Sequence, residues 1–326
     1  MTQLVIALGL LLFTISLPAD AQQARTPWRI GYLAQASLQV GPDALGMFRS
    51  GLRELGYVEG QQYVMEVRDA GGQPERLQKF AAELVALRVD VIVAASTPPA
   101  VALMQVTRSI PIVTVAVADP VGSGLVQSLA RPGGNVTGTA LAFDEISHKW
   151  LELLTTVRGH LSRVAVLSNS TNQSMPILLG PLEASARALK VGLTVHDFTP
   201  VTPPDRVFAA VSTGRPDGLA VLPDAFIRTH GRAIAKLAIG LRVPAIYGNR
   251  PYVVDDGGLM SYGPDQRENS RRAATYVHKI LTGAKPADLP IERPTRFELI
   301  INLKAAKAAG LAIPPSLLQR ADHVVE

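Results

Sequence analysis

The 326-residue sequence contains no cysteine, and this absence removes several classes of chemistry. A chain without cysteine has no disulfide framework, no thiolate nucleophile, no cysteine-ligated zinc and no lipid-modified cysteine. Aromatic residues are also scarce, at 5% of the chain, so few flat rings are available to line a binding site. What remains is 47% apolar and long enough for two domains of ordinary size.

Charge clusters and catalytic motifs are equally sparse. Charged residues make up 18% of the chain, the net charge is only +5, and no long acidic or basic run is present. This composition argues against a nucleic-acid partner and against a disordered tail. The patterns G-x-S-x-G, H-E-x-x-H and G-x-x-x-x-G-K-[ST] are missing, and the six histidines are widely separated. The sequence therefore predicts a protein that is not an enzyme and that uses no cofactor and no metal.

The longest apolar run is LVIALGLLLFTISL, residues 4–17, near the start of the chain. It is too short for a membrane-spanning helix of about 20 residues but suits the core of a secretory signal peptide. Ala19 and Ala21 supply the small-x-small cleavage pattern. We therefore predict a signal peptide over residues 1–21, cleaved near Ala21, and a mature protein in a bacterial periplasm. A retained N-terminal helix or anchor is the alternative.

Short β-branched runs alternate with amphipathic stretches along the rest of the chain. RIGYLAQ, YVMEVRD, DVIVAAS and IPIVTVAVA form a first series, and SRVAVLSN, GLTVHDF, DGLAVLPD and VPAIYGN form a second. Nearly continuous apolar strands are typical of parallel sheets whose two faces are both covered by helices. The two series can be aligned, RIGYLAQAS with RVAVLSNST and DVIVAASTPPA with DGLAVLPDAFI. The predicted fold class is α/β, with two similar doubly wound parallel-sheet lobes joined by a hinge.

The same pattern predicts the lobe boundaries and the hinge. We place the N-terminal lobe at residues 22–140, completed by about 262–326, and the C-terminal lobe at 141–261. Glycines permit backbone angles that other residues resist, and a crossing between lobes must absorb their rotation. We expect the hinge at four glycines that lie near the predicted crossings: Gly133, Gly134, Gly138 and Gly263.

Ligands of doubly wound sheets bind beyond the carboxyl ends of the strands, and both series contribute such loops. The site is therefore expected between the lobes. Ser96 and Thr97 offer hydroxyls and amides at a helix start that would favour a ligand carboxylate, although simple helix capping is the alternative. The Asp119 carboxylate could pair with a ligand amine, and a capping or turn role beside Pro120 is an equal alternative. The candidates of the first lobe are Tyr32, Gln35, Ser96, Thr97 and Asp119.

The second lobe supplies a matching set. Asp224 ends DGLAVLPD as Asp119 follows IPIVTVAVA, and a ligand amine in a closed cleft needs such an anionic partner because an unpaired buried charge is very costly. Asn169 can donate and accept hydrogen bonds at once, although an Asx-turn would explain it equally. A tyrosine at the end of a strand could stack on a flat ligand or could be packing alone. The candidates of the second lobe are Asn169, Ser170, Asp224, Ala225 and Tyr247.

Several segments carry a family resemblance: DVIVAASTPPAV, IPIVTVAVADPVGSGLV followed by RPGGNVTG, GGLMSYGPD, and the closing LKAAKAAGLAIPPSLLQRAD. Through them the chain resembles the periplasmic substrate-binding proteins of ABC transporters, in particular the tryptophan/tyrosine-type family with the type I fold. The resemblance covers essentially all of the predicted mature chain.

The resemblance implies a clamshell that closes on a small ligand and delivers it to a membrane permease driven by separate ATPase subunits. It also implies that the loop containing Asn169 faces the ligand and that the Asp224 carboxylate, on a loop where the family often has an acid, is the preferred partner of a ligand amine. We expect a monomer that binds an amino acid or a related small carboxylate. Aromatic, aliphatic and polar ligands all stay open, because few rings lie near the predicted cleft. The alternatives are an exported sensor that docks onto a membrane receptor and an exported α/β enzyme.

Overall fold

The computed structural model describes residues 26–35 and 44–326, and the predicted signal peptide lies outside these ranges. The described part folds into two mainly parallel α/β sheets, each with its own helices. This architecture confirms the predicted fold class. Within the described ranges, no helix is long and apolar enough to cross a membrane.

The first sheet consists of five parallel strands in the order β2-β1-β3-β4-β5. Its strands are β1 (Trp28–Ala34), β2 (Tyr63–Asp69), β3 (Val91–Ala94), β4 (Ile112–Val117) and β5 (Val136–Ala140). Its helices are α1 (Ala44–Glu54), α2 (Leu77–Ala86), α3 (Thr97–Val106) and, from much later in the chain, α10 (Gln266–Leu281). Helices α2 and α3 cover one face and α1 and α10 the other, which is why the central strands are apolar along their whole length.

The second sheet has seven strands in the order β12-β11-β10-β9-β8-β6-β7. They are β6 (Arg163–Ser168), β7 (Gly192–Asp197), β8 (Gly218–Val221), β9 (Ala245–Tyr247), β10 (Met260–Pro264), β11 (Phe297–Asn302) and β12 (His323–Val325). All neighbours are parallel except β10 and β11, which pair antiparallel. The helices around this sheet are α4 (Phe143–Arg158), α5 (Met175–Leu189), α6 (Pro204–Thr213), α7 (Ala225–Thr229), α8 (Gly231–Leu241), α9 (Pro251–Val254), α11 (Leu303–Ala309) and α12 (Pro315–Leu318).

The C-terminal part of the chain is divided between the lobes, and this corrects the predicted boundary. Residues 262–326 were expected to complete the N-terminal lobe, but β10, β11 and β12 lie in the second sheet. In β11, Leu299 and Ile301 enter the core on one face of that sheet and Ile300 enters the core on the other. A strand that is apolar on both faces needs a sheet covered on both sides, and the free edge of β10 provides that place. Only α10 and the segment that follows it, up to residue 292, lie on the first lobe.

The chain crosses between the lobes at residues 141–142, at Asp265 and at residues 293–296. The predicted hinge glycines lie beside these crossings and not in them. Gly133 and Gly134 precede β5 within the first lobe. Gly138 has φ +128° inside β5, and a Cβ there would overlap the Thr114 backbone, while a Cβ at Gly263 would overlap the carbonyl of Gly248. The last two glycines therefore allow close strand approach, which gives them a packing role that the hinge prediction did not include.

Candidate functional site

A cavity of about 180 Å³ lies between the lobes, beyond the carboxyl ends of β1, β3, β4 and β8. This is the position that the topology of a doubly wound sheet favours. The residues that line it come from both lobes and from the first turns of α10. Six of the ten predicted ligand-binding residues are among them: Tyr32, Gln35, Ser96, Thr97, Asp224 and Ala225.

The other four candidates do not line the cavity. Asp119 accepts hydrogen bonds from the amides of Val121 and Gly122 at 3.0 and 2.8 Å, so its carboxylate caps a turn. The hydroxyl of Ser170 donates to Asp197 at 2.8 Å on the exposed surface. Both side chains are thus engaged in local structure at the protein surface.

Tyr247 and Asn169 lie behind the cavity. Tyr247 is completely buried and stacks on Tyr252 with ring centroids 4.9 Å apart, because its side chain points into the core cluster that also contains Tyr252 and Ile227. Burial raises the pKa of its hydroxyl far above the ordinary value. Asn169 donates from Nδ2 to Asp224 at 3.1 Å and so supports a side chain that does face the cavity.

Asp224 is the central acidic group of the site. It follows β8 directly and forms the N-cap of α7, where Oδ1 accepts hydrogen bonds from the amides of Phe226 and Ile227 at 2.9 Å each. Nδ2 of Asn169 also donates to Oδ1, and Nδ2 of Asn172 donates to Oδ2 at 2.8 Å. All four donors are neutral amides, so they orient the carboxylate without neutralising it. Oδ2, with one hydrogen bond, can accept more.

Arg228 is a site residue that the sequence reasoning missed. Its guanidinium lines the cavity, pairs with Asp256 and, at 3.4 Å, with Asp255, and lies 5.3 Å from the ring centroid of Tyr252. Burial raises the pKa of Asp256, and the charge of Arg228 offsets part of that effect. Its spacing of four residues from Asp224 was the available signal, because residues i and i+4 lie on one face of a helix. Nε of Arg228 is buried and has no hydrogen-bond partner among the described residues.

Further polar atoms at the cavity are also unpartnered in the part of the chain that the structure describes. They are Oγ of Ser96, Oγ of Ser174 and Oδ1 of Asn249. Thr97 differs, because its Oγ1 accepts a hydrogen bond from the amide of Ala118 at 3.1 Å and so ties the start of α3 to the end of β4. Buried polar atoms without partners are costly and rare in folded proteins. Their concentration here indicates that a polar ligand completes the site.

The remaining wall on the first lobe is built from small side chains, including Ala34, Ala95 and Ala116. Ala116 has φ +58°, in the left-handed region, where β4 forms a bulge against β5. A residue other than glycine is uncommon in this conformation, and bulges often occur beside binding sites. The bulge brings the methyl group of Ala116 to the cavity, where a regular strand would have placed another residue. Because the side chains of this wall are small, it leaves room for a bulky ligand group. Over residues 26–35 and 44–326, no group of acidic or histidine side chains could hold a metal ion.

Comparisons with known proteins agree with one another in matching this chain to binding proteins. Residues 43–325 match the family described as ABC transporter substrate binding protein. The tyrosine-binding protein of Clostridioides difficile (strain R20291) is 29% identical over 266 residues, which cover 81% of this chain and 75% of that protein.

Solved structures agree in fold over nearly the whole chain. The ABC domain from Streptococcus pneumonia in complex with L-Trp is 25% identical with a TM-score of 0.82, covering 92% of this chain and 100% of that one. A ligand-free, open substrate binding protein with adhesive properties from Clostridium difficile is also 25% identical, with a TM-score of 0.66, covering 91% of this chain and 99% of that one.

Proposed function

The chain belongs to the ABC transporter substrate-binding protein family, and from that premise we propose that it captures an amino acid between its lobes. The family consists of binding proteins, so the assignment as a protein that is not an enzyme is confirmed. The proposal concerns which ligand is bound, how the site holds it and where it is delivered.

The unneutralised carboxylate of Asp224 carries the proposal. It is 6% exposed and lines the cavity, and its hydrogen bonds from the described residues all come from neutral amides. Arg228, the cation at the same cavity, is engaged by Asp255 and Asp256. A buried negative charge that is not paired is costly, so a ligand ammonium group supplies the partner. The ligand carboxylate then faces the other lobe, where the Ser96 hydroxyl and the positive end of the α3 helix dipole are favourable for a negative charge.

The side-chain end of the ligand is proposed to be aromatic. Two relatives are a tyrosine-binding protein and a domain solved with L-Trp. The small side chains at Ala34, Ala95 and Ala116 leave space on the first lobe, and Tyr32 offers a ring at the same wall. An enclosed apolar cavity of about 150 Å³ can hold benzene, so a cavity of about 180 Å³ has room for a ring.

Delivery of the ligand depends on closure of the two lobes around it. A ligand that touches Asp224 on one lobe and Ser96 on the other stabilises the closed state by its difference in affinity for the two states. We propose that the protein works in a bacterial periplasm, as the predicted signal peptide implies, and that a membrane permease with separate ATPase subunits accepts the closed form.

The test is a binding panel on the purified protein. Thermal unfolding would be followed with L-tyrosine, L-tryptophan, L-phenylalanine, L-leucine and L-glutamate, and with N-acetyl-L-tyrosine as a matched ligand whose amine is blocked. A ligand at about 100 times its Kd stabilises the folded state by about 2.7 kcal/mol, so an aromatic amino acid should raise Tm clearly. N-acetyl-L-tyrosine should give no shift. Equal shifts with the blocked and free amino acids, or no shift with any free amino acid, would overturn the proposal.

A further inference from the structure

A second cavity, of about 310 Å³, lies outside the ligand cleft, at the crossings between the lobes. Its wall comprises Thr139 in β5, one side of the start of α10, and the crossing segment 292–296; the residues from the start of α10 are Asp265, Glu268, Asn269 and Arg272. Residues 139 and 292 form a parallel β-bridge, which fixes one side of the cavity. None of the residues that line this second cavity lines the cleft, so helix α10 separates two distinct spaces.

Two of the three acidic groups that line this cavity have cationic partners at hydrogen-bond distance. Glu292 accepts hydrogen bonds from Nε and Nη2 of Arg272 at 2.6 and 2.8 Å, and these bonds hold its pKa below the ordinary value. Asp265 accepts from Nε and Nη2 of Arg267 at 3.1 Å each. The charge of Glu268, the third, contributes to the raised pKa of the Arg272 guanidinium, after the main effect of the hydrogen bond with Glu292. The negative charges of Asp265 and Glu292 are therefore balanced from within the protein.

Two donors at this cavity are open to a ligand. Asn269 is only 5% exposed, and its Nδ2 has no hydrogen-bond partner in the described ranges. Arg296 is 74% exposed in its side chain, and its Nη2 forms an ion pair with Asp322 at 3.9 Å, which is too long for a hydrogen bond. The buried amide donor lacks an acceptor oxygen, and a guanidinium at the same cavity favours an acceptor that carries negative charge.

We propose that this cavity binds a small anion whose oxygens accept hydrogen bonds from Nδ2 of Asn269 and from the Arg296 guanidinium. The chemistry fits a carboxylate or a phosphate equally, since both present several negatively charged oxygens. The site uses no group of the amino-acid cleft, so it stands or falls independently of the function proposed above.

Isothermal titration of the purified protein tests the site, with malonate and inorganic phosphate as separate probes. We expect saturable binding of at least one probe, and the responding probe identifies the carboxylate or the phosphate. Asn269→Asp replaces the donor by an acceptor at constant size, and Arg296→Gln removes the charge at an exposed position. Each should weaken binding about tenfold or more.

Arg320→Gln is the matched control, because Arg320 is a half-exposed arginine with a 3.6 Å ion pair and lines neither cavity. It should bind the probe like the parent protein. No heat with either probe, parent-like affinity in Arg296→Gln, or an equal loss in the control would overturn the proposal. Arg296→Gln keeps the test open if Asn269→Asp does not fold, since an exposed substitution of this kind changes stability little.

Discussion

Replacing Asp224 by asparagine should abolish most of the amino-acid affinity while leaving a folded protein. The loss follows from removing one member of a buried charge pair, which typically costs about 2–5 kcal/mol in binding. At about 1.4 kcal/mol per tenfold change, affinity should fall by about 30-fold to 4,000-fold. The ligand itself keeps its ammonium group, which then faces a neutral amide.

The structural cost of the same change can be worked out from the four hydrogen bonds of the carboxylate. An asparagine oxygen in place of Oδ1 keeps the two cap amides and the bond from Asn169. Only the bond from Asn172 to Oδ2 loses its acceptor, which costs about 1 kcal/mol. Asp224→Ala would instead remove the helix cap and take the acceptor away from all four amide donors, so its effect on binding could not be separated from its effect on folding.

Isothermal titration with L-tyrosine and L-tryptophan, beside urea unfolding, measures both effects. Asp119→Asn is the matched control, because Asp119 caps a surface turn and does not line the cavity. It should leave affinity unchanged. If Asp224→Asn also binds with parent affinity, the carboxylate does not hold the amine and the reasoning is refuted.

Three further predictions concern stability. Tyr247→Phe removes a buried hydroxyl that has no partner among the described residues, so the free energy of unfolding should rise by about 1 kcal/mol in urea titrations. Ligand affinity should stay unchanged. A loss of affinity would contradict the placement of Tyr247 behind the cavity. Gly138→Ala should lower the free energy of unfolding by at least about 2 kcal/mol, since φ is +128° and the new Cβ overlaps Thr114. Gly134→Ala is the control, because space is open around its Cβ, and its free energy of unfolding should change by no more than about 0.5 kcal/mol. Burial, and then the charge of Asp265, raise the pKa of Glu298 above 4.5, so the folded state holds this proton more tightly than the unfolded state does. That contribution to stability is present at low pH and is lost as pH rises through the raised pKa, and Glu298→Gln should therefore show a flatter decline as pH rises above 4.5; an unchanged slope would contradict it.

The two-lobed fold could be predicted because its central strands are apolar throughout. Segments such as VIVA in β3 and IVTVAV in β4 are almost completely buried, as parallel strands under two helix layers must be. The loops after these strands were then sufficient to find Ser96, Thr97 and Asp224 at the cavity.

The same uniformity explains what the sequence could not reveal. A strand without polar alternation gives no signal for which face each side chain occupies, and so Tyr247 was expected at the cleft although it packs in the core of the second lobe. For Arg228 the sequence offered only its spacing of four residues from Asp224, and the fold was needed to show its pairing with Asp256, 28 residues away. Likewise, FELIIN reads as a buried strand in either direction, so its antiparallel place beside β10 could not be predicted.

The late position of α10 in the chain has a consequence for the order in which the protein can be made. Strands β1 to β5 are complete by residue 140, but the face containing Ile30, Val93 and Val113 is covered partly by α10, which begins only at residue 266. A nascent chain therefore carries a partly uncovered apolar sheet face until most of its length has been synthesised. The first lobe cannot finish folding as an independent N-terminal unit, and a fragment ending near residue 260 should aggregate instead of yielding a free lobe.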